Sequence, residues 1–173
     1  MESRGLVHIY TGDGKGKTTA AIGLSVRAVG AGKKVMFAQF MKGMDTSELE
    51  PLRTLGIDVV RMGSVTKFIP YMTEAEKKVC HDEQYSCFDH VRKNADSYDL
   101  IIMDEIISAI TTEMVPLDEV ISFILGKPQK LELVLTGRQP PQDLQALADY
   151  LTDMAGVQHP YKRGIQARKG IEY

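Results

Sequence analysis

The stretch Leu6-Val-His-Ile-Tyr-Thr11-Gly12-Asp13-Gly14-Lys15-Gly16-Lys17-Thr18 decides the fold. Its first six residues favour a strand, and Thr18 to Val29 carries the apolar spacing of a helix. A glycine-rich loop between a strand and a helix is the setting in which Gly-Lys-Thr reads as a phosphate-binding loop. Glycines let backbone N–H groups turn inward around an anion, and the helix N-terminus adds free donors and a positive dipole end. Lys17 supplies a point charge to phosphate oxygens, and the Thr18 hydroxyl is a ligand for Mg²⁺. Gly12, Asp13, Gly14, Lys15, Gly16, Lys17, Thr18 and Thr19 are therefore the candidate phosphate-binding residues. The spacing departs from the usual G-x-x-x-x-G-K-[ST]: Thr11 stands where the first glycine belongs and Gly12 follows one residue late. Such a loop does not require the standard nucleotide pose.

Working outward, short apolar runs alternate with longer amphipathic ones. Strands are expected at 35–40, 59–62, 100–104 and 131–136, and helices at 47–55, 73–93, 117–125 and 142–148. The helix expected at 73–93 is opened by Thr73-Glu-Ala-Glu76, a capping-box signature. Strands separated by helices of this length argue an α/β fold, a mostly parallel sheet covered by helices on both faces. No repeat or linker-like stretch interrupts the pattern, so residues 1–173 read as a single domain. In such sheets ligands sit beyond the carboxyl ends of the strands. Leu100-Ile-Ile-Met-Asp104-Glu105 is a buried strand ending in two acids, a Walker-B-like element. Mg²⁺ takes hard oxygen ligands, one or two of them carboxylates, and at least one of the pair is expected beside it. The alternative for Asp104 is to cap the next helix.

Composition narrows the function classes. The 173 residues carry 21 basic and 23 acidic side chains, a net charge of −2, where nucleic-acid binders usually carry a basic excess. Two cysteines are too few for a disulfide framework. No apolar N-terminal segment and no run of about 18 apolar residues is present, so a cytoplasmic protein without membrane or nucleic-acid partners is expected.

Several further motifs follow the loop in order: Arg27-Ala-Val-Gly30, Gln39-Phe-Met-Lys-Gly43, Met103-Asp-Glu-Ile106, Thr136-Gly-Arg138, Ala148-Asp149 and Gly170-Ile-Glu-Tyr173. In this order and spacing the chain, from Leu6 to Tyr173, resembles the ATP:corrinoid adenosyltransferases of the CobA/BtuR type. The resemblance implies a RecA-like P-loop NTPase fold. It also implies transfer of the 5′-deoxyadenosyl group of MgATP to Co(I) of a corrinoid, with release of triphosphate. In that family the nucleotide lies reversed, with the γ-phosphate where a β-phosphate is expected, which suits the altered loop. By matching position, Lys17, Thr18 and the loop amides would hold the phosphates. Glu105 would join Thr18 on Mg²⁺, and Arg27 and Arg138 would lie along the triphosphate. Lys17, Glu105 and Phe68 are then the catalytic residues. A homodimer and an electron-donating flavoprotein partner are further implications.

Two departures from the family stand out. Members often carry an N-terminal extension over the corrinoid, whereas five residues precede the first strand here. Members also use an aromatic pair that includes tryptophan to displace the lower ligand of cobalt, and this chain has no Trp. Phe68 and Tyr71, in Thr66-Lys-Phe-Ile-Pro-Tyr-Met72, occupy that stretch as candidate corrinoid-binding residues. Packing under the long helix is the other reading of both.

Cys80, His81, Cys87 and His90 fall on one long helix, and packing rather than metal binding is expected of them. His159 reads as a turn residue or a substrate neighbour, and Lys162, Arg163, Arg168 and Lys169 as a solvated basic tail. Competing functions are a P-loop nucleoside or small-molecule kinase, which would release ADP, and a non-catalytic corrinoid- and ATP-binding relative. A GTPase is weakened because Asn-Lys-x-Asp is absent. A nucleic-acid motor is weakened by the acidic balance.

Overall fold

The computed structural model describes residues 4–64 and 66–173; Met1–Ser3 and Val65, part of the expected 1–173 domain, lie outside it. Six strands are found: β1 (Val7–Thr11), β2 (Val35–Gln39), β3 (Asp58–Arg61), β4 (Leu100–Asp104), β5 (Glu132–Thr136) and β6 (Tyr150–Asp153). They form one sheet in the order β3-β2-β4-β5-β1-β6, and every pairing is parallel. The α/β expectation therefore holds, and the sheet is wholly parallel. Six helices connect the strands: α1 (Lys17–Gly30), α2 (Leu49–Thr54), α3 (Glu74–Asn94), α4 (Ile106–Thr111), α5 (Leu117–Gly126) and α6 (Gln142–Gln145).

The strands show why both faces are covered. In β2 and β4 all five residues are buried, because alternate side chains enter two different cores. Met36, Ile101, Met103, Leu133 and Leu135 pack on the face that also buries Phe88 and Val91 of α3 and Val120 of α5. Phe37, Leu100, Ile102 and Val134 pack on the other face with Ala21 and Ala28 of α1 and Leu52 of α2. The capping box of α3 forms as expected, with Thr73 accepting from the Glu76 N–H and the Glu76 carboxylate accepting from the Thr73 N–H.

Cys80 and Cys87 are both buried in the α3 face of the core. Burial pushes the Cys87 thiol up to about 12 and raises that of Cys80 as well. Since the thiolate is the reactive form, the folded protein is expected to resist iodoacetamide at pH 8 and to take up two labels after unfolding. Rapid labelling of Cys87 in the folded state would contradict this packing. No group of three or more His, Cys, Asp or Glu that could hold a metal is found among the described residues. No helix among them is long and apolar enough to cross a membrane.

Candidate functional site

The loop after β1 is folded against the chain that follows β6. Gly14 N–H donates to the Met154 carbonyl at 2.6 Å, and a side chain at Gly14 would collide with that same carbonyl. Gly12 has φ +98°, and a Cβ there would strike the Asp153 carboxylate. These two glycines therefore permit both the turn and the close approach of a second backbone. α1 begins at Lys17 with no side-chain cap, so its first N–H groups remain free to meet an anion.

Lys17 lies at the centre of this loop. The residue is 8% exposed, and its Nζ donates to the Gly12 carbonyl at 2.6 Å and the Gly14 carbonyl at 2.9 Å. Burial lowers its pKa, and the Arg138 guanidinium lowers it further, against the opposing pull of Glu105, Asp13 and Asp104. Arg138 itself pairs with Asp13 at 3.7 Å. The loop residues, Lys17 and Arg138 are thus brought together.

Arg27 is not brought to this group. It sits in the last turn of α1, about 15 Å of helix beyond Lys17 at 1.5 Å per residue. Its charge acts instead on the Tyr10 hydroxyl. The helix carries Arg27 away from the loop, so the structure does not bring it together with Lys17 and Arg138.

The two acids after β4 divide their work. Asp104 is fully buried and accepts from Thr18 Oγ1 at 2.9 Å, Thr136 Oγ1 at 2.8 Å and Lys42 Nζ at 2.7 Å. Glu105 adopts a left-handed conformation, φ 61°, and its carboxylate accepts from Ser108 Oγ at 2.6 Å. The acid in contact with Thr18 is therefore Asp104. Its hydrogen bond takes the Thr18 proton and leaves the hydroxyl lone pairs free. The donor set of Thr18 oxygen and two neighbouring carboxylates suits a hard cation that takes its remaining ligands from phosphate and water.

Two cavities lie beyond the strand ends; the first meets the loop at Thr18 and Thr19, and the second adjoins the first. The first, ≈ 510 Å³, is bounded by Thr18 and Thr19, by the loop after β2 and by Gly170–Tyr173. That C-terminal segment is tied down by Lys15 Nζ, which donates to the Ile171 carbonyl at 2.8 Å and to Glu172 at 3.0 Å. Ser47 Oγ also donates to the Tyr173 main-chain oxygen at 2.9 Å. The second cavity, ≈ 440 Å³, is bounded by Glu105 and Ser108 on one side and by the start of α3 on the other. Met41, Lys42, Lys67 and Phe68 border both.

Phe68 is 80% exposed, so it overhangs the junction and does not pack under α3. Tyr71 is 77% exposed and borders neither cavity, which separates it from Phe68. His159 accepts from the Tyr161 N–H and stabilises a 3-10 turn at Pro160–Arg163, in keeping with its turn reading. Lys42 and Glu48 were not singled out by sequence reasoning; the quoted Gln39-Phe-Met-Lys-Gly43 was the available signal.

The comparisons with known proteins bear on this two-cavity site. A family model described as ATP:corrinoid adenosyltransferase BtuR/CobO/CobP matches residues 3–173. The chain belongs to that family. It is 33% identical over 176 residues to a corrinoid adenosyltransferase of Escherichia coli K12, covering all of this chain and 88% of the relative. It is 34% identical to the corrinoid adenosyltransferase CobA of Salmonella typhimurium LT2 over the same shares. It is 29% identical to a corrinoid adenosyltransferase of Pseudomonas aeruginosa PAO1, covering 99% of this chain and 85% of the relative.

Proposed function

We propose that this chain transfers the 5′-deoxyadenosyl group of MgATP to the Co(I) centre of a corrinoid and releases triphosphate. The observation that carries the reading is the pair of cavities meeting at Phe68 beside a lysine-centred phosphate loop. Transfer between two substrates needs adjoining chambers at the loop, with the reacting atoms brought to about 3–3.5 Å. Co(I) is itself the nucleophile, so the protein need supply none. Lys17, the loop amides between Gly12 and Thr19 other than that of Gly14, and Arg138 hold the triphosphate and stabilise the charge it gains.

Mg²⁺ would be held by Thr18 and Glu105, with Asp104 orienting the Thr18 hydroxyl, and would neutralise phosphate charge. Glu105→Gln is expected to raise the half-saturating Mg²⁺ concentration about tenfold while leaving the melting temperature near wild type, tenfold being about 1.4 kcal/mol. An unchanged Mg²⁺ titration would transfer that role to Asp104.

Phe68 and, from further out, Tyr71 would meet the corrinoid. Four-coordinate cobalt is easier to reduce, because losing an axial donor lowers the orbital that receives the electron. An apolar side chain where the lower ligand would return favours that state, and Phe68 is placed to provide it. Phe68→Ala should lose at least about tenfold more turnover from Co(II) than from preformed Co(I), a difference of about 1.4 kcal/mol. Equal losses from both states would leave Phe68 a structural residue. The working unit is proposed to be a single-domain homodimer of the cytoplasm, supplied with electrons by a flavoprotein.

The decisive experiment is anaerobic incubation with MgATP and reduced cobalamin, following the Co–C spectrum and assaying triphosphate. Release of ADP with a phosphorylated product would identify a kinase, and binding of both ligands without product a non-catalytic relative.

A further inference from the structure

On the transferase reading, with the nucleotide in the first cavity and the corrinoid in the second, the C5′–O bond that breaks falls at the junction of the two. Four residues border both cavities, and two of them are cations, Lys42 and Lys67. Lys67 is committed elsewhere: it pairs with Glu76 at 2.6 Å and its side chain is 53% exposed. Lys42 is 22% exposed and is held at 2.7 Å by a carboxylate that is itself fully buried. Glu48 stands 3.7 Å away on the other side.

An ammonium has three N–H donors. One of those of Lys42 is spent on Asp104, which fixes the group, and the others are available toward the cavities. Asp104 also accepts from Thr18, so the same carboxylate positions the phosphate loop and this cation. Of the other cations at the loop, Lys17 is seated on the Gly12 and Gly14 carbonyls, Lys15 is tied to Ile171 and Glu172, and Arg138 pairs with Asp13; none of the three borders either cavity.

The geometry points to Lys42 as a further catalytic residue, which donates to the triphosphate oxygen that leaves C5′. This role rests on the transferase reading. In the step, the Co(I) electron pair forms the Co–C5′ bond while the C5′–O pair passes to that oxygen. Cobalt becomes formally Co(III), and no proton is transferred. The oxygen gains negative charge only as the bond breaks, so a fixed donor there stabilises the transition state more than bound ATP.

The test compares wild type with Lys42→Met and Lys42→Arg, using preformed Co(I) cobalamin and MgATP. In parallel, the Kd for MgATP without corrinoid and the inhibition constant of tripolyphosphate are measured. Lys42→Met is expected to lower kcat about 10²-fold, the usual loss of one transition-state donor. Its MgATP affinity should stay within about threefold of wild type, consistent with an interaction made mainly in the transition state. Tripolyphosphate, which carries the developed charge, should inhibit it more weakly. Lys42→Arg should regain part of kcat.

If Lys42→Met fails to fold, Lys42→Gln, which still donates to Asp104, carries the same comparison. A near-wild-type kcat in the variant, or a loss confined to MgATP affinity, overturns the role. A wild-type protein that forms no Co–C bond overturns the transferase reading as well, which keeps the two failures distinct.

Discussion

Lys17→Ala is expected to abolish turnover, with nucleotide affinity falling by at least about 10²-fold, the scale of a lost charge-assisted phosphate contact and its specificity. The structure shows why no neighbour substitutes. Lys17 Nζ sits on the Gly12 and Gly14 carbonyls at the centre of the loop. Lys15 is tied to Ile171 and Glu172, and Arg138 pairs with Asp13. In the absence of anion, burial and Arg138 already lower the pKa of Lys17, so the ammonium is under-compensated and a phosphate restores what burial removes. It follows that bound triphosphate raises this pKa, and nucleotide affinity should fall as pH rises through the lowered pKa of the free protein. Lys17→Arg is no rescue, since a planar fork cannot fill a niche shaped for a point charge. Equilibrium dialysis with MgATP, beside a melting curve, checks the variant; near-native binding by a folded Lys17→Ala would remove the loop from the phosphate site.

The elements and the phosphate loop are local in sequence, which is why they could be read in advance, whereas the strand order that joins them is not. β1, the loop and the start of α1 are contiguous, and the residues that must act together lie within one short stretch. β4 announces itself because both of its faces are buried, so five apolar or terminal-acid residues run together. β6 gave no such signal. All four of its residues are exposed, and it is a strand because its backbone pairs with β1, not because its side chains alternate. α4 was hidden for the opposite reason: Ile106, Ile107, Ala109 and Ile110 are all buried, and Ser108 and Thr111 alone mark its polar side over six residues. α6 ends at Gln145, short of the expected Ala148, since one turn suffices to bring the chain to the edge strand.

The site was legible only where its chemistry is carried by neighbours in sequence. Lys17 and Thr18 were assigned from the loop. The partition between Asp104 and Glu105 was not, because it depends on the left-handed turn at Glu105: Asp104 stays buried against Thr18, Thr136 and Lys42, while Glu105 borders the second cavity. Arg27 illustrates the converse. Its motif is in the expected order, but helix rise rather than order sets how far it lies from Lys17. Lys42 meets Asp104 across 62 residues of chain. The register that sets Gln39 beside Asp104 at the ends of β2 and β4 creates that meeting.

That register makes Asp104 the second position of large expected effect. Its carboxylate is fully buried and accepts three hydrogen bonds, from Thr18, Thr136 and the Lys42 ammonium. Asp104→Ala leaves all three donors without their acceptor, one of them charged. Removing one partner of a buried ion pair costs about 3–5 kcal/mol, a large share of the roughly 5–15 kcal/mol that holds a domain together. The variant should therefore unfold at markedly lower urea concentration with an unchanged slope. It should also lose turnover, because Thr18 no longer has its hydroxyl oriented and Lys42 is free to swing toward Glu48. Asp104→Asn separates the two effects. Its amide oxygen can still accept from Thr18 or Thr136, so stability should recover in part, while Lys42 keeps only Glu48 as a counter-charge and is no longer fixed at the cavity junction, so turnover stays low. A urea midpoint for Asp104→Ala equal to that of wild type would show that the three contacts are incidental, and the positioning assigned to this carboxylate would fall with them.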